Sequence, residues 1–146
     1  MNNTKICLPC INQEGDMPPP TKVLGETGKQ AFMWIEKINE RQVQKIKIQA
    51  GFCWRDSIKP ILPNTPDWCP MTHFGYLESG KMEIEMENGE KSIINAGDTY
   101  FVPPGHIPII NEDTVMIEFS QDNTYTNSNF INKTNKKSGF WRCLFC

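Results

Sequence analysis

The chain has 146 residues, which suits one domain and leaves little room for two. Hydrophobic residues make up 38% and charged residues 22%, so the chain can bury a core and is not wholly disordered. The formal net charge of -2 argues against nucleic acid as the main partner, and no apolar run approaches the roughly 18 residues of a membrane span.

Residues 1 to 22 contain Asn2, Asn3, Pro9, Gly15 and the run Pro18-Pro19-Pro20 without any hydrophobic period, and are expected to be a flexible arm. Met1 to Glu14 is polar, and Ile6 to Ile11 is too short for the apolar part of a signal peptide. The expected compartment is therefore the cytoplasm, where thiols stay reduced. Cys7 and Cys10 form one CxxC pair, and Cys143 and Cys146 form another at the opposite end of the chain. Two such pairs together can make a Cys₄ zinc site. Their place outside the region that reads as folded favours solvent-exposed thiols instead.

From Val23 onward the pattern becomes that of short strands. Phe32 to Ile38 is rich in aromatic and β-branched residues, and Asn39-Glu40-Arg41 can turn the chain. In Val43 to Ala50, Ile46, Ile48 and Ala50 alternate with Lys47 and Gln49, as on a strand with one buried face. A helix over 29 to 47 is the alternative, since Glu36, Lys37, Glu40 and Arg41 are good helix formers, but neither a cap nor a period of 3.6 supports it. Gly51-Phe52-Cys53-Trp54 ends this strand, and Lys59 to Pro66 is a proline-broken loop.

Lys81 to Glu87 carries the strictest signal. Met82, Ile84 and Met86 share one face and four charges share the other, which is the signature of a half-buried antiparallel strand. Asn88-Gly89 is expected to form a two-residue type I′ hairpin turn. Ser92-Ile93-Ile94 returns, Ala96-Gly97-Asp98 turns again with Asp98 stabilising the turn, and Thr99 to Val102 forms the next strand. Pro103-Pro104-Gly105 turns once more, and Val115 to Phe119 is the last apolar strand. Evenly spaced short strands joined by Gly, Pro and Asn turns predict an all-β sandwich or barrel over 23 to 120. Residues 121 to 146 are dominated by Asn, Thr, Ser and Lys as far as Gly139 and are expected to be a flexible tail.

Gly97-Asp98-Thr99-Tyr100-Phe101-Val102-Pro103-Pro104-Gly105-His106 resembles the second cupin motif, and His73-Phe74-Gly75-Tyr76-Leu77-Glu78-Ser79-Gly80 looks like the first. Together with Gly51-Phe52-Cys53-Trp54, Lys59-Pro60 and Cys69, the ordered set resembles a group of small single-domain cupins over roughly 45 to 120. The resemblance implies an antiparallel cupin-type β-barrel, a double-stranded β-helix, at 23 to 120. It implies no single activity, because the fold hosts enzymes, storage proteins and sensors. Metal-binding cupins usually carry His-x-His, a Glu and a later His. This chain departs from that pattern: it has two histidines, His73 stands about where the Glu is expected, Cys69 falls near the second of the usual histidines, and Pro108 occupies the last His position. Where similar small cupins have a His after Gly-x-x-Trp, this chain has Ser57.

Cys69, His73 and His106 are thus the candidate pocket residues. They are expected to orient a small polar molecule in the barrel or to bind a divalent metal, zinc first and iron or copper after it. Such a metal would suit a metal-dependent enzyme. If His73 points into the barrel, Tyr76 and Glu78 point out of it, and Trp34, Trp54, Trp68, Phe74, Tyr76 and Tyr100 read as core aromatics. Glu83, Glu85, Glu87 and Glu90 read as a solvated face. A homodimer is expected, with Phe32 to Ile38 offering an edge strand that needs cover. Cys143-Leu144-Phe145-Cys146 also fits a prenylation pattern, which would tether the chain to a membrane as an adaptor through Cys143.

Overall fold

The computed structural model describes residues 18–38, 41–61 and 66–121. The expectations for the two CxxC pairs, for prenylation at Cys143 and for the tail after residue 121 lie outside these residues. Nine strands are described: β1 (Lys22–Leu24), β2 (Ala31–Ile38), β3 (Arg41–Ile48), β4 (His73–Ser79), β5 (Lys81–Met86), β6 (Lys91–Asn95), β7 (Thr99–Val102), β8 (His106–Ile109) and β9 (Thr114–Gln121). They form a six-stranded sheet in the order β1-β2-β3-β9-β4-β7 and a three-stranded sheet in the order β6-β5-β8, and every paired strand is antiparallel. No helix among the described residues is long and apolar enough to cross a membrane.

The alternation read from the sequence is what builds the core. Met33, Ile46, Ile48, Leu77 and Met116 point inward from the larger sheet, and Met82, Ile84, Ile94 and Ile107 from the smaller one. Phe52, Trp54 and Ile58 fill the same core from the π-helical turn Trp54–Ile58 and the residues before it. Ala31–Ile38 and Arg41–Ile48 form two strands and not a helix. The pairing runs from Ala31 opposite Ile48 to Ile38 opposite Arg41, so β-branched and aromatic residues prevail over the local helix formers.

Two expectations need correction. The Asn88-Gly89 turn is one residue longer than the two-residue form. The Gly89 N–H donates to the Met86 carbonyl and the Met86 N–H to the Glu90 carbonyl, so residues 87 to 89 make a three-residue loop closed by Gly89 at φ 87°. The β2 strand is also not a bare edge, because β1 pairs with Ala31, Phe32 and Met33. Beyond β1, the Ile35 N–H donates to Thr21 Oγ1 and the Trp34 indole N–H donates to the Pro18 carbonyl. The chain itself thus covers this edge from Ala31 to Ile35.

The turn that places the site is Pro103-Pro104-Gly105 between β7 and β8. Gly105 adopts φ 87°, its N–H donates to the Cys69 carbonyl, and the Cys69 N–H donates to the His106 carbonyl. Cys69 is thereby laced to the start of β8 four residues before His73 opens β4. Pro108 is accommodated because β8 is an edge strand of its sheet.

Gly80, between β4 and β5, and Gly89 share nearly the same φ, 81° and 87°, but not the same surroundings. A Cβ at Gly80 would lie 2.5 Å from the Asp113 carbonyl oxygen, whereas one at Gly89 would meet nothing within 4 Å. Gly89→Ala is expected to cost about 1–2 kcal/mol from backbone strain alone. Gly80→Ala should cost clearly more, since the strand end must also move. Urea denaturation of the two variants checks this, and equal losses would show that the contact at Gly80 relaxes freely.

Candidate metal centre

Strand β4 alternates strictly, with His73, Gly75 and Leu77 buried and Phe74, Tyr76 and Glu78 exposed. Glu78 pairs with Lys45 at 2.9 Å on the outer face, so it takes no part in the interior chemistry. His73 and His106 meet inside, with ring centroids 5.0 Å apart at an interplanar angle of 82°. The Cys69 Sγ lies 3.7 Å from His73 Nε2. One donor atom from each of Cys69, His73 and His106 falls within 4.8 Å of the others, and all three residues are buried. The three residues picked from the sequence are therefore brought together.

What holds them was not picked. The Glu118 carboxylate on β9 is buried and contacts His73 Nδ1 at 3.1 and 3.2 Å through its two oxygens. Because an ionised carboxylate only accepts, Nδ1 of His73 carries a proton, and in the neutral ring the lone pair is then on Nε2. Tyr100 on β7 donates its hydroxyl to Glu118 Oε1 at 2.9 Å, and Gln44 on β3 donates its amide to Oε2 at 2.9 Å. His106 repeats the arrangement with a backbone acceptor, its Nδ1–H donating to the Pro103 carbonyl at 2.6 Å. His73 Nε2 is the nitrogen that lies 3.7 Å from the Cys69 sulfur, and Nε2 of His106 is the ring nitrogen not engaged by Pro103.

Burial alone would raise the pKa of Glu118. The opposing charge that His73 carries when protonated and the hydrogen bonds from His73, Gln44 and Tyr100 outweigh it, and the carboxyl is held below its usual range. The Tyr100 hydroxyl is pushed far up by burial and by the Glu118 charge, which keeps it a donor. Burial, followed by the nearby His73 charge, lowers the pKa of His106 to about 4, so its imidazole is neutral at pH 7.

Cys69 carries a disulfide in this structure, so its sulfur is available as a ligand only in the reduced protein. The cavity beside the three residues is lined also by Met82, Ile84, Tyr100, Val102, Pro108, Met116 and Glu118. It has a volume of about 10 Å³, on the scale of one water molecule.

The sequence did carry a signal for the missed partners. Glu118 lies two residues from Met116 on the inward face of β9, and Gln44 lies on the Ile46–Ile48 face of β3. A carboxylate and an amide at inward positions beside buried apolar residues imply a buried polar pair. Tyr100 was read as core, which its ring is. Its hydroxyl needed a partner, as buried tyrosines do.

The fold is that of cupins. A cupin-like protein from Thermotoga maritima superposes with a TM-score of 0.50 at 15% identity, covering 73% of this chain and 80% of that one. Ectoine synthase from P. lautus gives 0.48 at 16% identity, with 66% and 67% covered. The EutQ protein from Clostridium difficile gives 0.47 at 12% identity, with 64% and 68% covered. No family model and no curated protein matches the sequence.

The titration of His106 has a consequence for stability. Its folded pKa of about 4 lies below the unfolded value of 6.5. The unfolded chain therefore binds the extra proton between these values, and stability falls as pH drops through that window, by about 3 kcal/mol in all. The lowered carboxyl of Glu118 acts in the same direction, since its contribution is present above the unfolded carboxylate range and lost below. Urea denaturation at several pH values between 7 and 4 should show this decline. It should be shallower in His106→Gln, and a wild-type profile flat across the window would contradict the assignment.

Proposed function

We propose that this cupin-fold chain is a metal-binding protein whose reduced form holds one thiophilic divalent ion, zinc before iron or copper, through Cys69 Sγ and the Nε2 atoms of His73 and His106. The observation that carries the reading is the orientation of both imidazoles. Each gives its Nδ1–H to a fixed acceptor, Glu118 or the Pro103 carbonyl, which makes Nε2 the coordinating nitrogen, and the Nε2 of His73 lies 3.7 Å from the sulfur. Metal-ligating histidines are held in this way, with the second nitrogen donating to a carboxylate or carbonyl.

The Cys69–His73 distance supports a metal. Zinc bonds of about 2.3 Å to sulfur and 2.0–2.1 Å to nitrogen in a tetrahedral site put the two ligand atoms about 3.5 Å apart. The Cys69 Sγ to His73 Nε2 distance is 3.7 Å. One thiolate and two imidazoles, with no carboxylate among the donors, form a soft to borderline set that suits zinc or copper better than magnesium or manganese. A cavity of about 10 Å³ suits an ion with one water better than a polar organic molecule inside the barrel. A zinc ion with three protein ligands and one open position supplies Lewis-acid polarisation of a bound oxygen.

Zinc titration of the chelator-stripped, reduced full-length chain against a chromophoric competitor tests the reading. Wild type is expected to bind zinc at a site that His73→Ala and His106→Ala each weaken by more than the roughly 10–100-fold typical of an outer-shell change. Circular dichroism confirms that the variants are folded. Zinc bound equally by all three proteins would place the metal elsewhere, for instance on the CxxC pairs, and a wild type that binds none would remove the metal altogether.

A further inference from the structure

We propose that Tyr100 is a positioning residue for His73, acting through Glu118 across a gap that Gly75 leaves in strand β4. The zinc arm of its test rests on the metal reading given above, while the arm that reads the imidazole proton does not.

Tyr100 and Glu118 lie on β7 and β9, which are not neighbours, because β4 runs between them. Gly75 of β4 stands opposite both residues, paired with Tyr100 on one side and Glu118 on the other. A Cβ on Gly75 would lie 2.8 Å from the Tyr100 hydroxyl and 2.4 Å from the Ile117 carbonyl oxygen. Gly75 is not among the glycines with positive φ, so its backbone conformation does not demand glycine. What demands it is space. The missing side chain is the path by which the phenol crosses β4 and reaches the carboxylate.

The oxygen that Tyr100 reaches is Oε1, one of the two in contact with His73 Nδ1, while Gln44 takes Oε2. With both oxygens held, the carboxylate plane is fixed and faces Nδ1. That keeps the proton on Nδ1 and the lone pair on Nε2, toward Cys69. The Tyr100 hydroxyl also lies 3.3 Å from the Met116 sulfur, a weaker acceptor that would remain if the group served only to satisfy a core tyrosine.

The test uses Tyr100→Phe in the reduced full-length chain, with Gly75→Ala as a second variant that keeps the hydroxyl but fills its path. Nitrogen-15 NMR of the metal-free protein reads which ring nitrogen of His73 carries the proton. Wild type should be the Nδ1–H form, and both variants should shift toward a mixture. Zinc affinity should fall roughly 10–100-fold in the variants. Tyr100→Phe retains the ring and its packing, so it is expected to fold. A lowered melting midpoint with the tautomer and the zinc affinity both unchanged would mean that Tyr100 is only structural, and would overturn the proposal. If wild type binds no zinc but the tautomer still shifts in Tyr100→Phe, the metal reading falls and the positioning role stands.

Discussion

The interior of this barrel is organised around one buried charge. The Glu118 carboxylate lies in the core, where an unpaired ion costs several kcal/mol even after relaxation. It is tolerated because donors converge on it from three other strands: Gln44 on β3, His73 on β4 and Tyr100 on β7. Each strand must therefore keep its register. Gln44 stands opposite Glu118 across the β3–β9 pair, and Gly75 stands opposite it across β4–β9. A slip of one residue would send the donor to the outer face and leave the carboxylate unmatched. The same network that organises the site also specifies how four strands of the larger sheet are stacked in order.

Much of this was legible in the sequence, for a physical reason. The β5 strand is half exposed, so its charges and apolar residues alternate, and the turn glycines at 80, 89, 97 and 105 mark where φ becomes positive. The convergence of Cys69, His73 and His106 could be anticipated from the order of the motifs. The network behind them was harder to read. Gln44 and Glu118 are separated by 74 residues, and nothing local in either strand names the other. Gly75 resembles a weak point in a strand when read alone, and only the three-dimensional neighbourhood of Tyr100 shows it to be a passage. The extra residue in the Asn88-Gly89 loop was missed because the same dipeptide serves hairpins of two lengths.

The site also differs from the common pattern of metal-binding cupins in a way that follows from composition. With two histidines in the chain, a set of three is impossible, and in the proposed site a cysteine would supply the remaining donor. A thiolate ligand would make such a centre softer and tie it to redox state. Cys69 carries a disulfide here, and one sulfur cannot serve a disulfide and a metal as a thiolate at the same time. The imidazoles are held independently of that sulfur, by Glu118 and by the Pro103 carbonyl, so two thirds of the donor set is in place whatever the state of the third.

X-ray absorption spectroscopy at the zinc edge of the reduced, zinc-loaded chain reads the ligand shell itself. One sulfur at about 2.3 Å and two imidazole nitrogens at about 2.0–2.1 Å are expected, with the outer-shell scattering typical of histidine rings. A shell of four sulfurs, as two CxxC pairs would give, or a shell of oxygens alone would contradict it.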